Sequence, residues 1–186
     1  MDKKTIPYYD EKWWLEVYSQ DVRQAQVAVG EWANGDRIGL VLYGKPGCGK
    51  THMAQVVVRH FEDPLYVRMI SEPDLLASLR ESYNGNGSEK RIIGNLSQIP
   101  MLIIDDVGAA HVKRDSLPWL QDIYWRLLDG RSADQRPTLI TTNLPNHALA
   151  DRLGSRASSR LSGLLQGKER DFIDMSKIED YRRRKK

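Results

Sequence analysis

Hydrophobic positions along the chain follow two spacings in turn, and the alternation predicts helices and strands one after the other. Between residues 10 and 33, apolar side chains recur every three or four positions, as on the buried face of a helix. Gly35 follows as the expected C-terminal cap of this helix. Residues 38–43 then form a short unbroken apolar run, which is typical of a strand buried on both faces. The helical stripe consists of Trp14, Tyr18, Val22, Ala25, Val29 and Trp32.

The rest of the chain continues this alternation. Further strands are predicted over residues 65–70, 101–105, 137–142 and 170–173, and further helices over 50–61, 71–83, 89–98, 117–128 and 146–165. Ser71 is the expected N-cap of one of these helices, with Pro73 in its first turn. Because strands alternate with helices throughout, the pattern predicts one α/β domain, in which helices cover both faces of a parallel sheet.

Composition and charge indicate one globular domain and limit where it could contact nucleic acid, but they do not define its function. The chain has 186 residues and 28% charged positions, which is ordinary for one globular domain. Residues 182–186 are all basic, so residues 1–181 sum to −2 although the net charge is +3. Contacts with nucleic acid must therefore come from local patches or from this tail, whose simpler interpretation is a solubilising end.

Neither a membrane nor an oxidising compartment is indicated. No apolar run approaches the ~20 residues that cross a membrane, and the first residues lack the apolar segment of a secretory signal. The single cysteine, Cys48, is typical of the reducing cytoplasm, where we expect this protein to act.

The loop after the first strand carries the most specific chemical signal. Residues 44–51 read Gly-Lys-Pro-Gly-Cys-Gly-Lys-Thr and match the pattern G-x-x-x-x-G-K-[ST] of a phosphate-binding P-loop. Backbone amides of such a loop, together with the N-terminus of the next helix, surround the phosphates of a nucleotide. Lys50 is expected to reach the β- and γ-phosphates and Thr51 to bind Mg²⁺ through its hydroxyl. Cys48 is interpreted as a permitted loop residue, because the sequence places no histidine or acid to activate its thiol.

Two later strands end in polar residues suited to the same site. Asp105 and Asp106 follow an apolar run, 55 residues or more after Lys50. Asp105 is expected to hold Mg²⁺ and Asp106 to orient or activate the attacking water. Asp106 is shorter than a glutamate, so slow hydrolysis is expected, and an ATP-gated adaptor that does not hydrolyse stays an alternative. Asn143 is expected to fix water beside the γ-phosphate, with helix capping as the alternative.

Three arginines near the end of the chain form a second candidate group. Arg152, Arg156 and Arg160 are spaced four residues apart, which predicts one face of a helix. A solvated surface is the simpler interpretation of this spacing. The functional interpretation is an arginine finger, inserted into the site of a neighbouring subunit to stabilise the charge of phosphoryl transfer.

In their order along the chain, these residues resemble the AAA+ helicase loaders of the bacterial DnaC/DnaI type. The resemblance extends from about Tyr8 to Arg182. It includes residues 40–52, 74–83, 96–108, 142–143, 153–156, 159–161 and 181–182. It implies a five-stranded AAA+ core, which we expect over residues 36–175. The sequence itself predicts an aromatic-rich helical segment over 1–35 and a basic tail over 176–186. Only 13 residues follow Ile173, so we expect no C-terminal helical lid and assign no second-sensor arginine.

The resemblance also implies a function. Loaders of this type bind ATP with Mg²⁺, associate into open spirals or rings, and deliver the replicative hexameric helicase onto single-stranded DNA. By position, Arg160 matches the arginine finger, with Arg156 as the second candidate. Tyr83 matches an aromatic position linked to single-stranded DNA, where stacking on a base is the expected contact and a surface aromatic at a helix end is the alternative. The expected nucleotide contacts are Gly44, Pro46, Gly47, Cys48, Gly49, Lys50, Thr51 and His52. Near Tyr83, Lys113 or Arg114 is expected to meet phosphate of the DNA.

The sequence leaves other functions open. A transposition helper, which binds duplex target DNA and a transposase, shares every motif above. A small P-loop kinase would need a lid and an acid that binds the acceptor, and neither is visible in the sequence. Tyr8, Tyr9 and Trp13 lie off the helical stripe, so they are expected to grip a partner helicase, or else to pack the helix against the domain.

Overall fold

The computed structural model of the protein describes residues 20–61, 63–83, 88–166 and 169–180. Several predictions from the sequence fall outside these ranges. They concern the partner surface at Tyr8, Tyr9 and Trp13, the stripe positions Trp14 and Tyr18, and the basic end from Tyr181 onwards.

Within these ranges, helices and strands alternate as the hydrophobic pattern predicts. The helices are α1 (Gln20–Asn34), α2 (Lys50–Phe61), α3 (Glu72–Glu81), α4 (Glu89–Gln98), α5 (Leu117–Ala133) and α6 (Asn146–Leu164). The strands are β1 (Gly39–Tyr43), β2 (Val67–Ser71), β3 (Met101–Val107), β4 (Thr138–Thr142) and β5 (Phe172–Asp174). The predicted bounds of α2 and α4 are confirmed, whereas β3 runs two residues beyond its predicted end at Asp105.

The five strands form one parallel sheet in the order β2-β3-β4-β1-β5. This confirms the predicted fold class of a five-stranded parallel sheet between helices. Strand β4 therefore lies between β1 and β3, although it follows both along the chain. Since parallel strands end at the same edge, the loops after β1, β3 and β4 meet there, which is where α/β sheets bind ligands.

Alternating side chains of the strands serve two separate cores, one on each face of the sheet. Leu40 and Leu42 of β1 pack with α1 and α2, whereas Val41 between them packs with α3, α4, α5 and α6. The same alternation holds in β3, where Ile103 faces the first core and Ile104 the second. The unbroken apolar runs of the sequence thus reflect burial on both faces.

Local signals define several helix ends. Gly35 takes a φ of +87° after α1, as expected of a C-terminal cap, and its N–H donates to the carbonyl of Trp32 at 3.1 Å. Ser71 caps α3 by accepting from the N–H of Asp74 at 3.1 Å. Among the helices of the described segments, none combines the length and the apolar character that a membrane span needs.

The edge of the sheet opposite the site is held by a buried ion pair. Arg37, just before β1, pairs with Glu31 of α1 and with Asp171 next to β5, and its side chain is 8% exposed. Beyond β5, Met175 and Ile178 are buried in the core of α1 and α2. The predicted division into residues 1–35, 36–175 and 176–186 stays a prediction. Ile178 falls in the predicted tail, but the structure places it in the core.

Candidate nucleotide-binding site

The loop between β1 and α2 has the backbone shape of an anion-binding loop. Gly47 and Gly49 take φ values of +84° and +98°, and alternation of this kind turns successive N–H groups toward one point. A Cβ at Gly47 would stand 2.0 Å from Oδ1 of Asp180, so this carboxylate would have to move, and the positive φ would strain any other residue there. Helix α2 then begins at Lys50, with its N-terminus directed at the loop. His52 follows on the first turn of α2 and is half-buried, Cys48 is fully buried, and Pro46 is exposed.

Lys50 joins the loop after β1 to the loop after β4. Its side chain is buried, and its Nζ donates to the carbonyl oxygens of Gly44 and Lys45 at 2.8 and 3.0 Å. Nζ also donates to Oδ1 of Asn143 at 2.8 Å. Asn143 comes directly after β4. Because β4 lies next to β1 in the sheet, the side-chain amide of Asn143 is close to the P-loop that follows β1.

Asp105 joins the P-loop helix to the two central strands. The Thr51 hydroxyl donates to Oδ1 of Asp105 at 3.0 Å, and the Thr141 hydroxyl donates to the same oxygen at 2.6 Å. Asp105 is 5% exposed. A hydroxyl and a carboxylate are the hard oxygen donors that Mg²⁺ prefers, and Mg²⁺ usually fills its other positions with water and substrate phosphates. These two side chains therefore fit Mg²⁺.

Asp106 stands at an irregularity of β3. Pairing between β3 and β4 shifts between Ile104 and Val107, and Asp106 takes a φ of +53°. A bulge next to an active site re-aims a side chain, and the left-handed region is tolerated by aspartate and asparagine better than by most residues. Partial burial raises the pKa of the Asp106 carboxyl, the Asp105 carboxylate raises it further, and Lys50 lowers it. Asp106 is thus a partly desolvated carboxylate, and the irregular backbone gives its side chain a direction that a regular strand would not.

Replacing Asp106 by asparagine should raise the melting temperature of the nucleotide-free chain by a few degrees at neutral pH. Asparagine tolerates the same backbone conformation and carries no charge to desolvate. Folding raises the pKa of Asp106, so the ionised Asp106 carboxylate lowers the free energy of unfolding. This loss is fully present above the folded pKa and disappears below the unfolded pKa of ~3.9. The gain should therefore shrink as the pH falls toward 4, as measured by thermal unfolding at several pH values. Asp115→Asn, at an exposed acid before α5, is the control, and a gain that does not change with pH would contradict this explanation.

The three arginines of α6 do not share one face, so this prediction is wrong. Gly154 interrupts α6 with φ 79° and ψ 161°, which sends the second half of the helix in a new direction. Arg152 lies before the break and pairs with Glu72 at 2.7 Å. After the break, the guanidinium of Arg156 stacks 3.4 Å from the ring centroid of Trp125, and Arg160 pairs with Asp129 at 2.6 Å. The two finger candidates, Arg156 and Arg160, are both exposed and lie in the second half of α6.

Tyr83 lies on the surface beside a second aromatic side chain. It is 61% exposed, its hydroxyl donates to Glu89, and it accepts from Nε1 of Trp119 at 3.0 Å. Arg126 pairs with the same glutamate. The exposed Lys113 and Arg114 lie in and beside a 3₁₀ turn that leads directly into α5, the helix of Trp119.

Two side chains at this edge of the sheet have roles that were not inferred from the sequence. Thr141 donates to Asp105 and accepts from the Asp106 N–H at 2.9 Å, so it fixes both acids. Glu72 is fully buried and bonds the backbone just after Asp106. The role of Thr141 could have been suspected, because it lies at the end of the same strand that leads to Asn143. Glu72 gives no such signal, because an acid in the first turn of a helix is ordinary.

Comparison with known proteins agrees with this geometry. The model of the IstB-like ATP binding protein family matches residues 15–160. The replicative helicase loader DnaC of Buchnera aphidicola subsp. Baizongia pistaciae is 28% identical over 145 residues, which cover 75% of this chain and 57% of that protein. The chain spans about half the length of the curated relatives that it matches.

Solved structures show the same fold. The crystal structure of the DnaC helicase loader superposes with a TM-score of 0.66 at 19% identity, covering 90% of this chain and 97% of that chain. The replication initiator DnaA bound to AMPPCP and single-stranded DNA gives a TM-score of 0.69 at 18% identity, covering 90% of this chain and 51% of that chain.

The parallel sheet, the loop between β1 and α2 and the family match together define a P-loop ATP-binding domain. The chain belongs to the IstB-like ATP-binding protein family. The predicted resemblance to DnaC-type loaders is thereby confirmed.

Proposed function

We propose that this chain binds and hydrolyses ATP with Mg²⁺ in order to load a replicative DNA helicase onto single-stranded DNA. The observation that carries the proposal is the meeting of three strand ends around Lys50 and Thr51. Lys50 contacts Asn143 after β4, and Thr51 contacts Asp105 of β3, as a site for the triphosphate and its metal requires. The family's description as ATP-binding supports the same nucleotide.

The proposed chemistry assigns one task to each polar side chain. Lys50 exchanges its carbonyl contacts for oxygens of the β- and γ-phosphates, while Thr51 and Asp105 hold Mg²⁺, which neutralises phosphate charge. Asn143 orients a water molecule. The oxygen of this water attacks the γ-phosphorus while the bond to the β-phosphate oxygen breaks, and Asp106 accepts the proton. In the nucleotide-free chain, partial burial raises the pKa of Asp106, and a carboxylate of raised pKa accepts a proton more readily than an exposed one.

Hydrolysis is proposed to need a second copy of the chain. Arg160 and Arg156 are exposed, and their contacts with Asp129 and Trp125 lie on the surface, where such contacts are worth about 1 kcal/mol or less. Either guanidinium can therefore leave its partner at little cost and enter a neighbour's site. This supports self-association into a spiral or ring with a shared site.

Single-stranded DNA is proposed to stack on Tyr83. Its ring is exposed, and its hydroxyl is held by Glu89 and Trp119, so the orientation of the ring is fixed before a base arrives. Preorganisation of this kind lowers the entropy cost of binding. Lys113 and Arg114 would meet the phosphates. Since residues 1–181 sum to −2, few phosphates should be contacted, and the dependence of binding on salt should be shallow.

Replacing Tyr83 by alanine should weaken ATP-dependent binding of single-stranded DNA by about 1–3 kcal/mol, the value of one stacked base. Tyr83→Phe keeps the ring and should lose much less. Fluorescence anisotropy with a labelled oligonucleotide measures both. Leu65→Ala is the matched control, because Leu65 is the other large hydrophobic side chain exposed in the described part of the chain, at 82%. Equal affinity of Tyr83→Ala and the wild-type chain would remove Tyr83 from the DNA site.

Co-purification tests the partner directly. The tagged chain, incubated with ATP, should retain the replicative hexameric helicase from the same cells, and Lys50→Ala should retain less if assembly needs the nucleotide. Recovery of a transposase instead, together with a preference for duplex DNA, would replace the loader by the transposition helper. The predicted grip at Tyr8, Tyr9 and Trp13 is tested in the same assay by deleting residues 1–12.

A further inference from the structure

A buried acid bonds the backbone of the segment that follows the candidate catalytic aspartate, Asp106. Glu72, the first residue of α3, is 0% exposed. Its Oε2 accepts from the N–H groups of Gly108 and Ala110 at 3.0 and 3.1 Å. Its Oε1 accepts from the hydroxyl of Tyr124 at 2.7 Å, and burial together with this carboxylate raises the pKa of Tyr124, which keeps the hydroxyl a donor. Glu72 is therefore a carboxylate bonded at both oxygens, which holds the amides two and four residues after Asp106.

Arg152 completes this cluster from α6. Its Nη2 bonds Oε2 of Glu72 at 2.7 Å and its Nε bonds Oε1 at 3.1 Å, so the pair is bidentate. The same Nη2 donates to the carbonyl oxygen of Ala110 at 2.8 Å. The segment 108–110 is thus held by its N–H groups through Glu72 and by a carbonyl through Arg152.

The segment that this pair holds is irregular and includes the turn that starts at Asp106. Asp106 and Gly108 take φ values of +53° and +97°, and the N–H of Ala109 closes a turn on the carbonyl of Asp106 at 2.9 Å. A left-handed aspartate persists only where its surroundings impose it. Outside the turn, Asp106 is fixed by Thr141, and the residues after it are fixed by Glu72 and Arg152.

Arg152 also lies two residues before the break of α6 at Gly154. The half of α6 beyond that break carries Arg156 and Arg160. The ion pair between Arg152 and Glu72 thereby connects two parts of the chain. One is the backbone after Asp106, and the other is the half of α6 that carries the two finger candidates.

We propose that Glu72 and Arg152 are positioning residues for ATP hydrolysis, which set the direction of the Asp106 carboxylate through the backbone of residues 108–110. This inference rests on the proposed function, since it assigns Asp106 to the attacking water. Neither side chain touches the nucleotide. Because displacement of a reacting group by ~1 Å can cost about 10²-fold in rate, loosening this segment should slow turnover and leave nucleotide binding intact.

Arg152→Met and the milder Arg152→Lys and Tyr124→Phe test the proposal on the full chain. Arg152→Met should lower kcat of ATP hydrolysis by about ten- to a hundred-fold. The Kd for a fluorescent ATP analogue with Mg²⁺ should stay within about three-fold, because Lys50 and Thr51 keep their contacts. Arg152→Lys should recover part of kcat, since an ammonium can still reach Glu72 or Ala110. Tyr124→Phe, which removes one hydrogen bond to Glu72, should cause the smallest loss.

Arg37→Met is the matched control. Arg37 is also an arginine of low exposure paired with carboxylates, at 8% against 13% for Arg152, but it lies at the opposite edge of the sheet. Breaking either pair should lower Tm, whereas only Arg152→Met should lower kcat per folded molecule. Equal losses of kcat in the two variants, an unchanged kcat in Arg152→Met, or a loss matched by weaker nucleotide binding would each overturn the proposal.

The proposed function can fail separately. If the wild-type chain binds ATP but never hydrolyses it, even with helicase and DNA present, the hydrolytic function is wrong. Amide hydrogen exchange at Gly108 and Ala110 in the ATP-bound chain then tests whether Arg152 holds this segment in place. Faster exchange in Arg152→Met than in Arg37→Met supports it, and equal exchange overturns it.

Discussion

Replacing Lys50 by alanine should weaken binding of ATP with Mg²⁺ by about a hundred-fold or more. Lys50 is 4% exposed, and its Nζ donates to carbonyl oxygens of the P-loop and to Asn143, which are all uncharged acceptors. A triphosphate would offer this buried ammonium several anionic oxygens. Removing one partner of such a buried charge pair costs about 2–5 kcal/mol. A titration with a fluorescent ATP analogue measures the loss.

Lys45→Ala is the control for this prediction. Lys45 lies in the same loop with an exposed side chain, and it contributes only its backbone carbonyl to Lys50. This variant changes the net charge as Lys50→Ala does, so an electrostatic effect of the whole chain would appear in both. Unchanged affinity in Lys50→Ala, or an equal loss in both variants, would mean that the phosphates bind elsewhere.

Arg160→Ala should lower ATP hydrolysis by the assembled protein about 10³-fold or more, as loss of other arginine fingers does. The effect requires that Arg160 act on a neighbouring subunit. The turnover per wild-type chain should therefore rise with protein concentration, or on addition of helicase and DNA. Steady-state hydrolysis over a concentration series measures both effects. Arg156→Ala, measured alongside, shows which of the two arginines acts as the finger.

Mixing inactive variants provides the decisive control. Lys50→Ala keeps the arginines and loses the site, whereas Arg160→Ala keeps the site and loses the finger. A mixture of the two should recover activity that neither shows alone, because one chain supplies Arg160 to the site of the other. Asp129→Ala frees Arg160 from its surface ion pair and should stay active. A rate independent of concentration, and untouched in Arg160→Ala and Arg156→Ala, would exclude a shared site.

Much of the fold and of the candidate site could be predicted from the sequence, because the signals involved are local. The bounds of α2 follow from the P-loop glycines before it and from its own apolar spacing, and the cap at Ser71 needs only neighbouring residues. Asp105 was assigned to the metal site because acids at the carboxyl end of a buried strand meet the P-loop edge of a parallel sheet. Its contact with Thr51 at 3.0 Å agrees with that reasoning.

The prediction that three arginines share one helix face was wrong, because it inferred the backbone conformation from sequence spacing alone. Arg152, Arg156 and Arg160 fall at helical intervals, but spacing contains no information about the φ of Gly154. A glycine can continue a helix, as Gly163 does, or leave it. At Gly154 it leaves the helix, with the side chain of Gln121 packed where a Cβ would stand. The three arginines therefore reach three different partners.

The sequence by itself determined the class of protein, through the P-loop, the acidic strand end and the alternation of strands with helices. Tertiary structure alone decided the strand order that sets β4 between β1 and β3. It also decided the left-handed turn at Asp106 and the burial of Glu72 against Arg152, 80 residues later in the chain. The physical reason is that phosphate binding uses a continuous stretch of backbone, whereas aiming a carboxylate uses contacts between segments that only folding brings together.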